Sequence, residues 1–218
     1  MKFTLDTNIF LHGLCEDIAC RHSLKKFLHE SESFFTAKVF NELAGKKGEW
    51  ALILGQLIRK WDGKTSLIDA YENLKGFFQD IDTKDELLTC KNFIEYLERK
   101  RTSTEPFNFD KERTSFLSYV GGYLASRKPI YPDPDMYKKH ASDYSEIRKK
   151  INEHNLVVGE QDKKIICEIF VVTKYFSDKA QFVSRNKKDF YCSTPQWRTE
   201  LGNVEVLIPE EVDGCPHI

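Results

Sequence analysis

The chain has 218 residues, enough for one large domain or for one domain carrying a long insertion. Apolar residues make up 40% and charged residues 31%, a globular balance, and no apolar run approaches the roughly 18 residues of a membrane span. The formal net charge of −1 excludes a globally basic nucleic-acid binder, so any such surface must be local.

Six cysteines show no C-x-x-C pair and no Cys/His spacing of a zinc site. The start carries no signal-like segment, because a short apolar stretch after Lys2 runs at once into Asp6. A cytoplasmic protein with reduced, mostly buried thiols is expected. The 16 phenylalanines predict a core dominated by aromatic packing.

In chain order, residues 2–5 (KFTL) read as a strand, and residues 6–8 (DTN) as a turn. Ile18, Leu24, Phe27 and Leu28 give helical spacing over 16–30, and residues 33–36 (SFFT) a second strand. A helix follows over 37–44, with Gly45 as its stop. The middle is helical, first on Trp50, Leu54, Leu57, Ile58 and Trp61, then on Leu67, Ile68, Tyr71, Leu74 and Phe78. Thr83 and Glu86 fit a capping box, continued by Leu87, Ile94 and Leu97. Residues 101–115 read as a polar loop, 116–124 as a helix, and the proline-bearing stretch 128–137 as irregular. A charged helix over 142–153 and a helix over 162–176 come next. Strands over 181–184 and 204–208 complete the pattern. The ends alternate strand and helix, which predicts an α/β fold with a parallel sheet covered on both faces. The middle reads as an inserted helical block.

Four acidic residues fall where open parallel sheets carry their active sites, outside the carboxyl ends of the strands. Asp6 follows the first strand, Glu42 lies in the helix after the second, and Asp162 opens the helix before strand 181–184. Asp189 follows that strand. Asp162 precedes Ile165, Ile166 and Ile169 at helical spacing, so it projects from the apolar side of its helix. Carboxylates drawn to one point repel unless a cation neutralises them. Mg²⁺ and Mn²⁺ prefer oxygen ligands, keep bound waters and serve phosphodiester hydrolysis.

The pattern resembles the PIN-domain family of nucleases. The resemblance is carried by residues 3–10 (FTLDTNIF), 38–43 (KVFNEL), 159–166 (GEQDKKII) and 182–190 (FVSRNKKDF). It covers roughly residues 1–45 and 158–208, about half the chain. It implies a three-layer α/β/α sandwich with a mainly parallel central sheet. The chain is then a single domain with its core in 1–45 and 158–212 and a helical insertion over about 46–157. The implied activity is metal-dependent cleavage of RNA, less often DNA, in RNA processing or as a toxin. Asp6, Glu42, Asp162 and Asp189 are the implied catalytic carboxylates, holding Mg²⁺ or Mn²⁺. Asn8, Glu160, Ser184 and Asn186 are the implied supporting residues. The fourth ligand is either Asn186 or Asp189, and Glu160 can share the role of Asp162. RNA is the implied substrate, and an antitoxin, another protein or a second copy of the chain is an implied partner. The alternative is a non-catalytic module of the same fold that binds RNA or protein.

Lys187 and Lys188 flank the predicted centre and suit phosphates. Arg185 suits either a phosphate or a carboxylate. The clusters at 46–47, 99–101 and 148–150 read as solvated surface charge. His12 reads as structural. A phospho-acceptor aspartate of the haloacid-dehalogenase type wants a second Asp two residues on, where Asn8 stands.

Overall fold

The computed structural model describes residues 1–74, 84–103, 106–130, 141–153, 159–186 and 203–216. The chain is α/β, mostly helical, with a small parallel sheet. The strands are β1 (Lys2–Leu5), β2 (Phe35–Thr36), β3 (Pro129–Ile130), β4 (Ala180–Val183) and β5 (Val204–Leu207). The helices are α1 (Thr7–Leu14), α2 (Ile18–His29), α3 (Ala37–Lys60), α4 (Leu67–Leu74), α5 (Lys84–Ser103), α6 (Phe109–Ser126), α7 (Ala141–Glu153) and α8 (Glu160–Tyr175). A 3₁₀ turn spans Pro209–Glu211. Among the described residues, no helix is long and apolar enough to cross a membrane.

The chain divides into two compact units, one of Met1–Leu43 with Leu124–Ile218, the other of Ala44–Tyr123. The first unit holds the sheet. Its strands run in the order β1-β4-β5, all parallel, with Leu5 opposite Val183 and Val183 opposite Leu207. The parallel pair β2-β3 lies beside β1, joined by a bridge between Phe3 and Ser33 and by Phe34 N donating to Phe3 O at 3.0 Å. All four residues of β4 are buried. Successive side chains leave a strand on opposite faces, so both faces of β4 are covered. Residues 124–130 and 141–153, expected in the insertion, divide with the sheet: β3 pairs with β2, and α7 packs on α8.

The core of this unit is aromatic where α1, α2 and β2 meet. Phe10, Phe27 and Phe35 pack mutually with ring centroids 5.0–5.7 Å apart. Edge-to-face and offset contacts of this kind add to the burial of large apolar area. Cys20, Cys167 and Cys215 are buried and Cys15 is half-buried. Cys90 lies in α5, and Cys192 lies outside the described residues.

The second unit is helical. Trp50 of α3 stacks on Phe93 of α5 and Phe116 of α6, at 5.3 and 5.4 Å. Glu98 of α5 accepts from Leu67 N at 2.9 Å, capping α4, and also pairs with Arg101.

Several elements differ from their sequence expectations. Helix α3 does not stop at Gly45 but runs to Lys60. A mid-helix glycine costs about 1 kcal/mol, which burial of Trp50, Ile53, Leu54 and Leu57 along the continuing stripe outweighs. Helix α6 begins at Phe109, inside the expected loop, because Asn108 Oδ1 accepts from Lys111 N at its start and Phe109 is buried. Lys46, expected as solvated charge, is buried. The expected features at Phe78 and Thr83 lie outside the described residues.

The start of α3 is tied to α8. Thr36 Oγ1 accepts from Val39 N at 3.1 Å, and a Glu168 carboxylate oxygen accepts from Lys38 N at 3.0 Å. These bonds satisfy amides that the helix leaves without partners. Burial pushes the Glu168 carboxyl up, against the bonds from Lys38, Thr36 and Ala37. Loss of both acceptor oxygens in Glu168→Ala should cost on the order of 1–2 kcal/mol. Glu168→Gln, which keeps an acceptor, should cost less. Urea denaturation followed by circular dichroism reads both, and an unchanged midpoint for Glu168→Ala would show that the cap contributes nothing.

Candidate active site at the carboxyl ends of β1 and β4

Residues 6–8 are not a free turn. Asp6 is the N-cap of α1, with Oδ1 accepting from Thr7 N at 2.7 Å. Its backbone still belongs to the sheet, since Asp6 N donates to Val183 O at 2.9 Å. Ser184 occupies the matching place after β4, with its N donating to Leu207 O at 3.0 Å. Register alone therefore sets Asp6 beside Ser184.

The second oxygen of Asp6 is equally engaged. Oδ2 accepts from Ser184 Oγ at 2.7 Å and from Asn8 Nδ2 at 2.6 Å. Ser184 Oγ in turn accepts from Asn186 N at 2.9 Å, and Asn8 Oδ1 accepts from Arg185 N at 3.1 Å. The two segments, 6–8 and 184–186, are thus laced together by side chains at the sheet's carboxyl edge. Thr7 Oγ1 is buried beside Asp6 and has no hydrogen-bond partner.

Asp6 is only 5% exposed. Burial pushes its carboxyl up to about 7, against the bond from Ser184, and the negative charges of Glu42 and Asp162 push it the same way. Two of the other predicted carboxylates, on α3 and α8, therefore act electrostatically on Asp6. Glu42 and Asp162 are themselves half-buried. Asp162 stands in the first turn of α8, whose N-cap is Gly159. A Cβ at Gly159 would lie 3.3 Å from Asp162 Oδ2, so the glycine gives that carboxylate room. Asp6 and Asp162 both sit at helix N-termini, where the positive end of the helix dipole favours anions.

The chain matches no family model, no curated protein and no solved structure at a significant level.

The other predicted residues fall in distinct places. Asn8, Ser184 and Asn186 join the Asp6 network. Glu160 is exposed and faces Lys163 at 2.8 Å and Arg148 at 3.5 Å. The Arg185 guanidinium is held by Asp17 and Glu210. His12 is half-buried, and burial pushes its imidazole below the ordinary value. Asp189, Lys187 and Lys188 lie outside the described residues.

Sequence reasoning passed over Gly159, the Glu168 cap, and Asp17 with Glu210. Asp17 directly precedes the helical run of α2, which is an N-cap signal; it accepts from Cys20 N at 2.8 Å. For Glu210 no local signal exists, because its partner is 25 residues away.

A divalent cation is a chemical fit to this donor set. Asp6, Glu42 and Asp162 offer only oxygen, and the charges of Glu42 and Asp162 act on Asp6. Among the described residues, no group of three or more His, Cys, Asp or Glu side chains is placed to hold a metal ion, so the fit is one of donor type.

The raised Asp6 pKa makes a pH-dependent stability claim. The folded chain keeps a proton on Asp6 up to about pH 7, while the unfolded chain releases it near 3.8. Stability is therefore lost as pH rises from 3.8 to about 7, and the loss is complete above that window. The full effect is on the order of 4 kcal/mol. Without divalent ions, Asp6→Asn should raise the melting temperature at pH 8, with a gain that shrinks toward pH 4. A variant no more stable than wild type at pH 8 would show that the buried carboxylate carries no such cost.

Proposed function

We propose that the chain is a metal-dependent endoribonuclease built on a PIN-like three-layer α/β/α core, with RNA as its substrate. The observation that carries the reading is a buried Asp6 at the carboxyl edge of a parallel sheet, raised further by the charges of Glu42 and Asp162. A structural N-cap needs neither burial nor two acidic neighbours. Three like charges gathered from distant parts of the chain destabilise the fold unless they serve a cation.

Asp6, Glu42 and Asp162 would hold Mg²⁺ or Mn²⁺, with Asn186 or Asp189 as a further ligand. When bound, the ion activates a water and stabilises charge on the phosphate oxygens. The chain's own residues do the positioning. Ser184 and Asn8 fix the orientation of the Asp6 carboxyl through Oδ2. The N-terminus of α8 supports the charge of Asp162. Lys187 and Lys188 follow the 184–186 turn directly in sequence and would meet the substrate's phosphates. In a toxin-type role the protein partner is an antitoxin; in an RNA-processing role none is needed.

One observation favours a second reading, a non-catalytic module of the same fold that binds RNA or protein. Both oxygens of Asp6 already have donors within the chain. A protonated Asp6 would then be a buried structural link between β1 and β4.

Cleavage of mixed RNA and DNA substrates with Mn²⁺ separates these readings. Wild type should cut RNA and stop when the metal is chelated. Asp6→Asn and Asp162→Asn should each lower the rate by more than about a hundredfold, since even outer-shell partners of a metal are worth 10–100-fold. RNA bound but never cut would favour the second reading, and variants cutting at the wild-type rate would remove these carboxylates from the chemistry.

A further inference from the structure

Arg185 lies between two residues of the Asp6 network, Ser184 and Asn186, and its own backbone N donates to Asn8 Oδ1 at 3.1 Å. Its side chain turns away from that network. Nη2 donates to Asp17 Oδ2 at 2.6 Å, and Nη1 donates to Glu210. Both partners are anchored independently. Asp17 Oδ1 accepts from Cys20 N as the N-cap of α2, and Glu210 belongs to the 3₁₀ turn that follows β5. That turn is held in its turn by Ile208 N donating to Glu211 Oε2 at 3.2 Å.

Each Nη atom of the guanidinium thus donates to a carboxylate. A phosphate would have to compete with these charge-assisted bonds. Geometry gives the pair another task. Arg185 ties the 184–186 segment to the N-cap of α2 and to the 3₁₀ turn after β5. We propose that Arg185 is a positioning residue: its ion pairs to Asp17 and Glu210 hold the Ser184–Asn186 turn in place against Asp6, and it is not a ligand for phosphate. The consequence for catalysis rests on the nuclease reading, but the consequence for the turn does not.

Lysine offers a point charge on a flexible stem and cannot span both carboxylates, so Arg185→Lys should restore the turn only in part. Amide hydrogen exchange of the full chain reads this directly. In Arg185→Gln, the Arg185-position and Asn186 amides should lose protection by about tenfold or more, with the central amides of β1 and β4 unchanged. Arg185→Lys should fall between the variant and wild type. Glu210→Gln, a change at a half-exposed side chain, should lower Asn186 protection as well and serves if Arg185→Gln does not fold. Unchanged Asn186 protection in whichever of these variants folds would overturn the proposal.

Cleavage kinetics add an independent arm. A positioning role predicts that Arg185→Gln lowers kcat, leaves KM unchanged and leaves the salt dependence of RNA binding as in wild type. A raised KM with a shallower salt slope would make Arg185 a phosphate ligand and overturn the proposal. A wild type that cuts no RNA would overturn the nuclease reading, while amide protection still decides the role of Arg185.

Discussion

The site depends on one constraint: the parallel register that sets Asp6 and Ser184 side by side as the next residues after β1 and β4. That register is fixed by burial. Phe3, Leu5, Phe182 and Val183 are all buried, and a slip of one residue would turn each of them to the opposite face. The sheet therefore fixes a polar contact at its edge by packing apolar side chains in its interior. The Asp6 carboxyl then meets the Ser184 hydroxyl without any adaptable loop between them. An N-cap bond to Thr7 holds its other oxygen, so the carboxyl has almost no rotational freedom left.

Two further carboxylates, each placed by a helix, act on Asp6 through their charge. Glu42 rides on α3, and the start of α3 is fastened to α8 by Glu168. Asp162 rides on the first turn of α8 itself. The Glu168 side chain thus links the positions of two acidic residues that lie 120 residues apart in sequence. The cost of this arrangement is borne by Asp6, the most buried of the three. Its carboxyl is raised first by burial and then by the charges of Glu42 and Asp162.

The outer support is also ionic. Arg185 connects the turn after β4 to the N-cap of α2 and to the 3₁₀ turn after β5. Phosphate binding and carboxylate pairing are equally good uses of an arginine in the sequence, because both ask for the same planar fork. Only the surroundings separate them, and here two carboxylates stand on either side.

The strands and most of the helices were legible because each carries its own period. Residues 2–5, 181–184 and 204–208 read as strands and fold as β1, β4 and β5, within a residue. Helix boundaries were less so. Gly45 reads as a stop, but the apolar stripe beyond it is stronger than one glycine, and residues 6–8 read as a turn although Asp6 is a helix cap. The acidic residues could be chosen from sequence by their places after strands and at helix starts. Their effect on one another could not, because it is set by distances across the fold. The sequence by itself determined a parallel α/β core and the residue types at its carboxyl edge, since local periodicity and turn chemistry act over a few neighbours. The tertiary structure alone decided that Asp6 is buried within reach of the charges of Glu42 and Asp162 and that Arg185 pairs with Asp17 and Glu210, since burial and Coulomb interaction depend on which distant segments are packed together.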